Sequence, residues 1–97
     1  MMTKYEIMFI VKATLEDTAL NNATREVQSL ITDNGSKVIE FKDMGRKKLA
    51  YPINKEISGF YYLMNVEATH EVIQEFDRKL RINENILRHL ILKKESE

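Results

Sequence analysis

Ninety-seven residues carry 15 Lys/Arg against 15 Asp/Glu, a formal net charge of zero, with 43% hydrophobic and 31% charged residues. That is enough apolar material for one compact core, and the neutral balance argues against strong non-specific attraction to nucleic acid. The absence of cysteine removes disulfides and thiolate metal sites, and no run approaches the roughly 18 apolar residues of a membrane span.

The start of the chain, Met1 to Glu6, brings in a carboxylate too early for a secretory signal. A single cytoplasmic domain over residues 1–97, held by its core alone, is the expectation. The charge is mildly skewed: residues 1–45 hold five Lys/Arg against seven Asp/Glu, and residues 46–97 hold ten against eight. Any contact with RNA must therefore come from local basic clusters.

Lys4 to Lys12 reads as a strand, with Tyr5, Ile7, Phe9 and Val11 on one face and Met8 and Ile10 on the other. Apolar residues on both faces suit the middle of a sheet. From Leu15 to Asn34 the period lengthens: Leu20, Ala23, Val27, Leu30 and Ile31 make one helical stripe. Thr14, with Asp17 three residues on, is the expected N-cap, and Asn34-Gly35 the stop.

Lys37 to Ile53 reads as a long strand with a bulge or bend near Asp43-Met44-Gly45. Pro52 cannot donate to a ladder, which places this strand at an edge. Lys55 to Gly59 is read as a turn and Phe60 to Glu67 as the next strand, with Phe60, Tyr62, Met64 and Val66 on one face. Thr69 should cap a second helix whose buried stripe is Val72, Ile73, Phe76 and Leu80, with Glu75 and Lys79 as an i,i+4 pair. Asn83-Glu84-Asn85 turns the chain into a last strand, Ile86 to Lys93, and residues 94–97 should fray. Alternation on that strand puts Arg88 with Ile86, Leu90 and Leu92, and His89 with Leu87 and Ile91.

The order β-α-β-β-α-β predicts an α+β ferredoxin-like sandwich: a four-stranded antiparallel sheet with two helices on one face. The other face and the long edge strand are left for partners.

Catalytic chemistry has little to work with. There is no Cys nucleophile, His70 and His89 sit in no motif, and the three glycines are too scattered for a phosphate-cradling loop. His70 reads as a first-turn surface residue and His89 as a surface or RNA-proximal group. Neither metal nor cofactor nor small-molecule substrate is expected.

The basic clusters are more informative. Arg46-Lys47-Lys48 precedes Leu49-Ala50-Tyr51-Pro52-Ile53, and alternation sends Arg46 and Lys48 to one side, Lys47, Leu49, Tyr51 and Ile53 to the other. Two readings are open: cations that protect an edge strand from aggregation, or phosphate contacts supported by an aromatic ring. Arg78, Lys79 and Arg81, reinforced by Arg88, form a second cluster, which a solvated helix C-terminus would also explain. Ser58-Gly59-Phe60-Tyr61-Tyr62-Leu63 echoes the aromatic strand of RNA-recognition motifs. Ser58 stands where that motif has a basic residue and Tyr61 where it has a small one, so Phe60 and Tyr62 read as core.

Taken together, the chain resembles the bacterial small-subunit ribosomal protein number six family, from Lys4-Tyr5-Glu6-Ile7 through Leu90. The resemblance is most specific in Gly45 to Ile53 and in Phe76 to His89. Lys4 stands where Arg is common, and the acidic tail extension of some members is absent. The resemblance implies a non-catalytic constituent of the small ribosomal subunit. It further implies pairing with ribosomal protein number eighteen and joint binding to the central domain of small-subunit ribosomal RNA. It points to Lys4, Arg46, Lys47, Lys48, Arg81 and Arg88 as RNA-facing residues, with Tyr51 stacking or donating its hydroxyl. An independent single-stranded RNA binder and a ligand-sensing module of the same fold are the competing readings. An acylphosphatase-like enzyme would need a Gly- and Arg-bearing loop where Ala13-Thr14-Leu15-Glu16 stands.

Overall fold

A computed structural model describes residues 2–94. It has six elements: β1 (Thr3–Lys12), α1 (Asp17–Thr32), β2 (Lys37–Ile53), β3 (Glu56–Ala68), α2 (His70–Arg81) and β4 (Ile86–Lys93). The strands form one antiparallel sheet in the order β2-β3-β1-β4. β1 lies in the middle, as its two apolar faces require, and β2 lies at an edge, as Pro52 requires.

β1 and β3 pair without interruption from Thr3 opposite Ala68 to Lys12 opposite Gly59. Alternation along this ladder sends Tyr5, Ile7, Phe9 and Val11, with Tyr62, Met64, Val66 and Ala68, into the core. Ala23, Val27 and Ile31 of α1, and Ile73, Phe76 and Leu80 of α2, close over them. The rings of Phe9, Phe41 and Tyr62 form a triangular cluster, with Phe9 and Phe41 centred 5.3 and 5.4 Å from Tyr62 and 6.3 Å from each other.

Several sequence expectations need correction. α1 begins at Asp17 after Glu16, with no side-chain cap, so Thr14 is too far upstream to cap it. Thr69 does cap α2, its hydroxyl accepting from the Val72 N–H. Glu75 pairs with Arg78 rather than Lys79. Of the expected turn at residues 55–59 only Lys55 turns: the chain reverses at Asn54-Lys55, both with positive φ, and β3 has already begun at Glu56. Lys94, the start of the tail expected to fray, still donates its N–H to the Lys4 carbonyl. The rest of that tail, residues 95–97, lies outside the described residues.

Strand β4 departs from simple alternation. A bulge breaks its register with β1 between Ile10 and Val11, so Ile86 pairs with Val11 and is buried, whereas Arg88 pairs with Ile10 on the open face. Arg88, Leu90 and Leu92 share that open face without Ile86, because the extra residue, Leu87, inverts the alternation. His89, expected at the surface, is instead largely covered. It lies opposite Phe9 on the helix side, with its Nε2 2.6 Å from Asp77 Oδ1 on α2.

Burial, with the Asp43 carboxylate as a secondary cause, raises the Tyr62 hydroxyl above its ordinary pKa. The folded state therefore disfavours tyrosinate, and its stability contribution is complete below the unfolded pKa and lost as pH rises. Urea denaturation should show Tyr62 costing stability above about pH 10, and Tyr62→Phe should remove that part of the alkaline slope.

Candidate nucleic-acid interface

The ladder that buries one set of side chains turns the alternate set outward. On the open face Lys4, Glu6, Met8, Ile10 and Lys12 of β1 lie opposite Glu67, Asn65, Leu63, Tyr61 and Gly59 of β3. Leu92, Leu90 and Arg88 flank them on the β4 side, and Glu40, Lys42, Gly45 and Lys47 on the β2 side. Met8, Leu90 and Leu92 are large, apolar and exposed there.

β2 and β3 continue past the end of their neighbours as an arm that turns at Asn54-Lys55. Its basic residues sit at the base: Arg46 opposite Phe60, Lys47 opposite Gly59 and Lys48 opposite Ser58. This register divides them as alternation predicts. Lys47 is on the open face, its ammonium 5.4 Å from the Tyr61 ring centroid. Arg46 and Lys48 are on the other side, where the Arg46 guanidinium donates to the Ser58 hydroxyl from both Nε and Nη2 at 3.3 Å. All three are exposed.

Tyr51 is exposed further along the arm, and the Arg88 guanidinium lies 5.4 Å from its ring centroid. The structure therefore separates Arg88 from Arg78, Lys79 and Arg81, with which the sequence reading grouped it. Those three belong to α2, behind the sheet, where Arg78 pairs with Glu75 and Arg81 with Asp77. Lys4 is also apart from the arm. It sits eight residues from Lys12 along β1, about 26 Å at strand rise, and its cross-strand neighbour is Glu67. Five of the seven candidates (Arg46, Lys47, Lys48, Tyr51 and Arg88) thus gather at one end of the molecule, and Lys4 and Arg81 do not.

Two features of this end were not anticipated. Ile10 and Leu49 are each buried to 7% exposure yet stand outside the main core cluster. Gly59 is buried because Ile10 leans into the place of its missing side chain. A Cβ there would overlap Ile10 Cγ2 and lie 3.2 Å from the Val11 carbonyl oxygen and 3.6 Å from Leu87 Cδ1. The signal was present as a lone glycine within a strand pattern, a mark of close approach.

Among the described residues no group of three or more His, Asp or Glu could hold a metal ion, and no helix is long and apolar enough to cross a membrane.

Comparison with known proteins decides the family. The sequence pattern described as ribosomal protein S6 matches residues 4–93. The chain belongs to the ribosomal protein S6 family. As a family member it is a small-subunit ribosomal protein, a cytoplasmic component of the translation machinery. Among solved structures, the 30S ribosomal protein S6 of Thermotoga maritima superposes with a TM-score of 0.89 at 24% identity, covering 97% of this chain and 89% of that one. An uncharacterized protein of the same organism superposes at 0.61 with 14% identity, covering 98% and 100%. At such identities the likenesses speak for the shared ferredoxin-like fold.

Because Ile10 is β-branched and cannot swing aside freely, Gly59→Ala should destabilise this S6-family protein by about 1–3 kcal/mol. Chemical denaturation is the check, and a loss below about 0.5 kcal/mol would mean that the arm yields at its base.

Proposed function

We propose that this chain binds the central domain of small-subunit ribosomal RNA jointly with ribosomal protein number eighteen, as a structural subunit without catalytic activity. The observation that carries the reading is the arm: an S6-family chain of zero net charge presents three consecutive exposed cations, Arg46, Lys47 and Lys48, at the base of the β2–β3 hairpin. Exposed arginine and lysine side chains are suited to phosphate oxygens. Lys4 and Arg81 are outlying members of the same RNA-facing set, and Arg81, already paired with Asp77, adds less.

Dependence on a partner follows from charge. A neutral chain releases few counterions on a polyanion, so a more basic protein must supply the remaining neutralisation. The exposed Met8, Leu90 and Leu92 offer that protein an apolar surface. An independent RNA-recognition mode is less well supported, because Tyr62 is buried in the core and Phe60 packs against it, so neither is free to stack on bases.

Filter binding at physiological salt should show weak retention of the RNA by this chain alone and specific retention by the two-protein complex. Tight, sequence-selective binding by the single chain would refute partner dependence. Replacing Arg46, Lys47 and Lys48 together with Ala should weaken binding by the complex and flatten the log K against log salt slope by about 0.7–0.9 per lost contact. An unchanged slope with an intact fold would assign the cations to edge protection instead.

A further inference from the structure

We propose that Arg88 and Tyr51 clamp the β2–β3 arm back across the open face of the sheet, so that Arg88 positions the basic arm rather than contacting phosphate itself. The argument begins with the sheet order. Arg88 is on β4 and Tyr51 on β2, the two opposite edges. Arg88 is level with Ile10, Ile10 with Tyr61, and Tyr61 with Gly45. If β2 ran on straight in the plane of the sheet, Tyr51 would lie six residues beyond Gly45, about 20 Å along the strand, and three strand spacings, about 14 Å, to the side. Two side chains cannot bridge that diagonal, yet the guanidinium carbon is 5.4 Å from the ring centroid. The arm is therefore folded over the open face.

The local structure supplies the means. A register break between Asp43 and Gly45, with Gly45 at φ +83°, adds twist to β2 just before the basic residues. A second break between Lys48 and Ile53 lets the arm bend again. Gly59 has no side chain to hold the arm away, so Ile10 and Leu87 come up against its backbone. Leu49 and Ile10 are buried outside the main core, as expected if the folded arm covers them. The Lys47 ammonium over Tyr61 ties down the base, and the Arg88 guanidinium over Tyr51 ties down the outer part.

This arrangement changes what Arg88 does. A guanidinium held against a ring is a fixed point on the rigid sheet, and it restricts the orientations from which Arg46, Lys47 and Lys48 approach a ligand. Preorganising a mobile basic hairpin lowers the ordering cost of binding without adding a contact. The consequence for RNA rests on the function proposed above, whereas the clamp is a property of the isolated chain.

Amide hydrogen exchange on the isolated protein separates the two. In Arg88→Gln and in Tyr51→Ala, amides of residues 48–58 should exchange about two- to fivefold faster, the effect of one exposed cation–π contact. Amides at the centre of β1 and β3 should keep their rates. The double variant should be no worse than either single one, and Tyr51→Phe, which retains the ring, should keep the protection of the wild type. Unchanged arm exchange in Arg88→Gln, or a loss of protection throughout the sheet, overturns the clamp. In the complex with ribosomal protein number eighteen, Arg88→Gln should weaken RNA binding about two- to fivefold with the salt slope unchanged. A slope flattened by about 0.7–0.9 would make Arg88 a phosphate ligand and overturn its positioning role. If the wild-type complex does not bind the RNA at all, the function proposed above fails, and the exchange measurements still decide the clamp.

Discussion

Everything in this fold hangs on the central antiparallel ladder between β1 and β3. Its ten consecutive pairs, from Thr3–Ala68 to Lys12–Gly59, carry no bulge, so the alternation of side chains is in step on both strands. One phase of that alternation is apolar on both strands and is covered by α1 and α2. A slip of one residue would send Tyr5, Ile7, Phe9 and Val11 to the open face, a loss of burial that no surface contact here could offset. The opposite phase is thereby committed to the open face, and with it Lys4, Met8, Ile10 and Tyr61.

Irregularity is confined to the edges. β2 carries three register breaks and β4 one, each where the chain must do something a flat sheet cannot. The break at Ile10 and Val11 lets Ile86 enter the core while Arg88, two residues later, faces outward. The breaks in β2 turn a 17-residue strand, too long for its neighbours, into a ladder strand followed by an arm. Edge strands tolerate such insertions because only one side of their hydrogen bonding is committed.

Charge follows the same division. Within the body, opposite charges meet locally: Lys42 with Glu40, Arg78 with Glu75, Arg81 with Asp77. Such exposed pairs add little stability, but they cancel much of the field over the helical layer and the middle of the sheet. Among the described residues no carboxylate lies within ion-pair distance of Arg46, Lys47 or Lys48. A chain with no net charge thus keeps a localised positive feature, at the base of the β2–β3 arm.

The residues of β1, β3 and the two helices were legible from sequence because period two and period 3.6 are properties of a backbone taken one segment at a time. Tyr5-Ile7-Phe9-Val11, Ala23-Val27-Ile31 and Ile73-Phe76-Leu80 need no partner to reveal their faces, and Pro52 alone was enough to put β2 at an edge. The split of Arg46 and Lys48 from Lys47 was legible for the same reason. The place of the turn at Asn54-Lys55 was not, since Asn54 is a lone turn-former and Lys55, also at positive φ, leaves no compositional mark. The inverted face of Ile86, the bond from His89 to Asp77 and the meeting of Arg88 with Tyr51 were equally hidden. Each depends on which strands become neighbours and where a bulge falls between them. Those are decided by long-range pairing around the β1–β3 ladder, and residues 37 positions apart are brought together only when the arm folds over it.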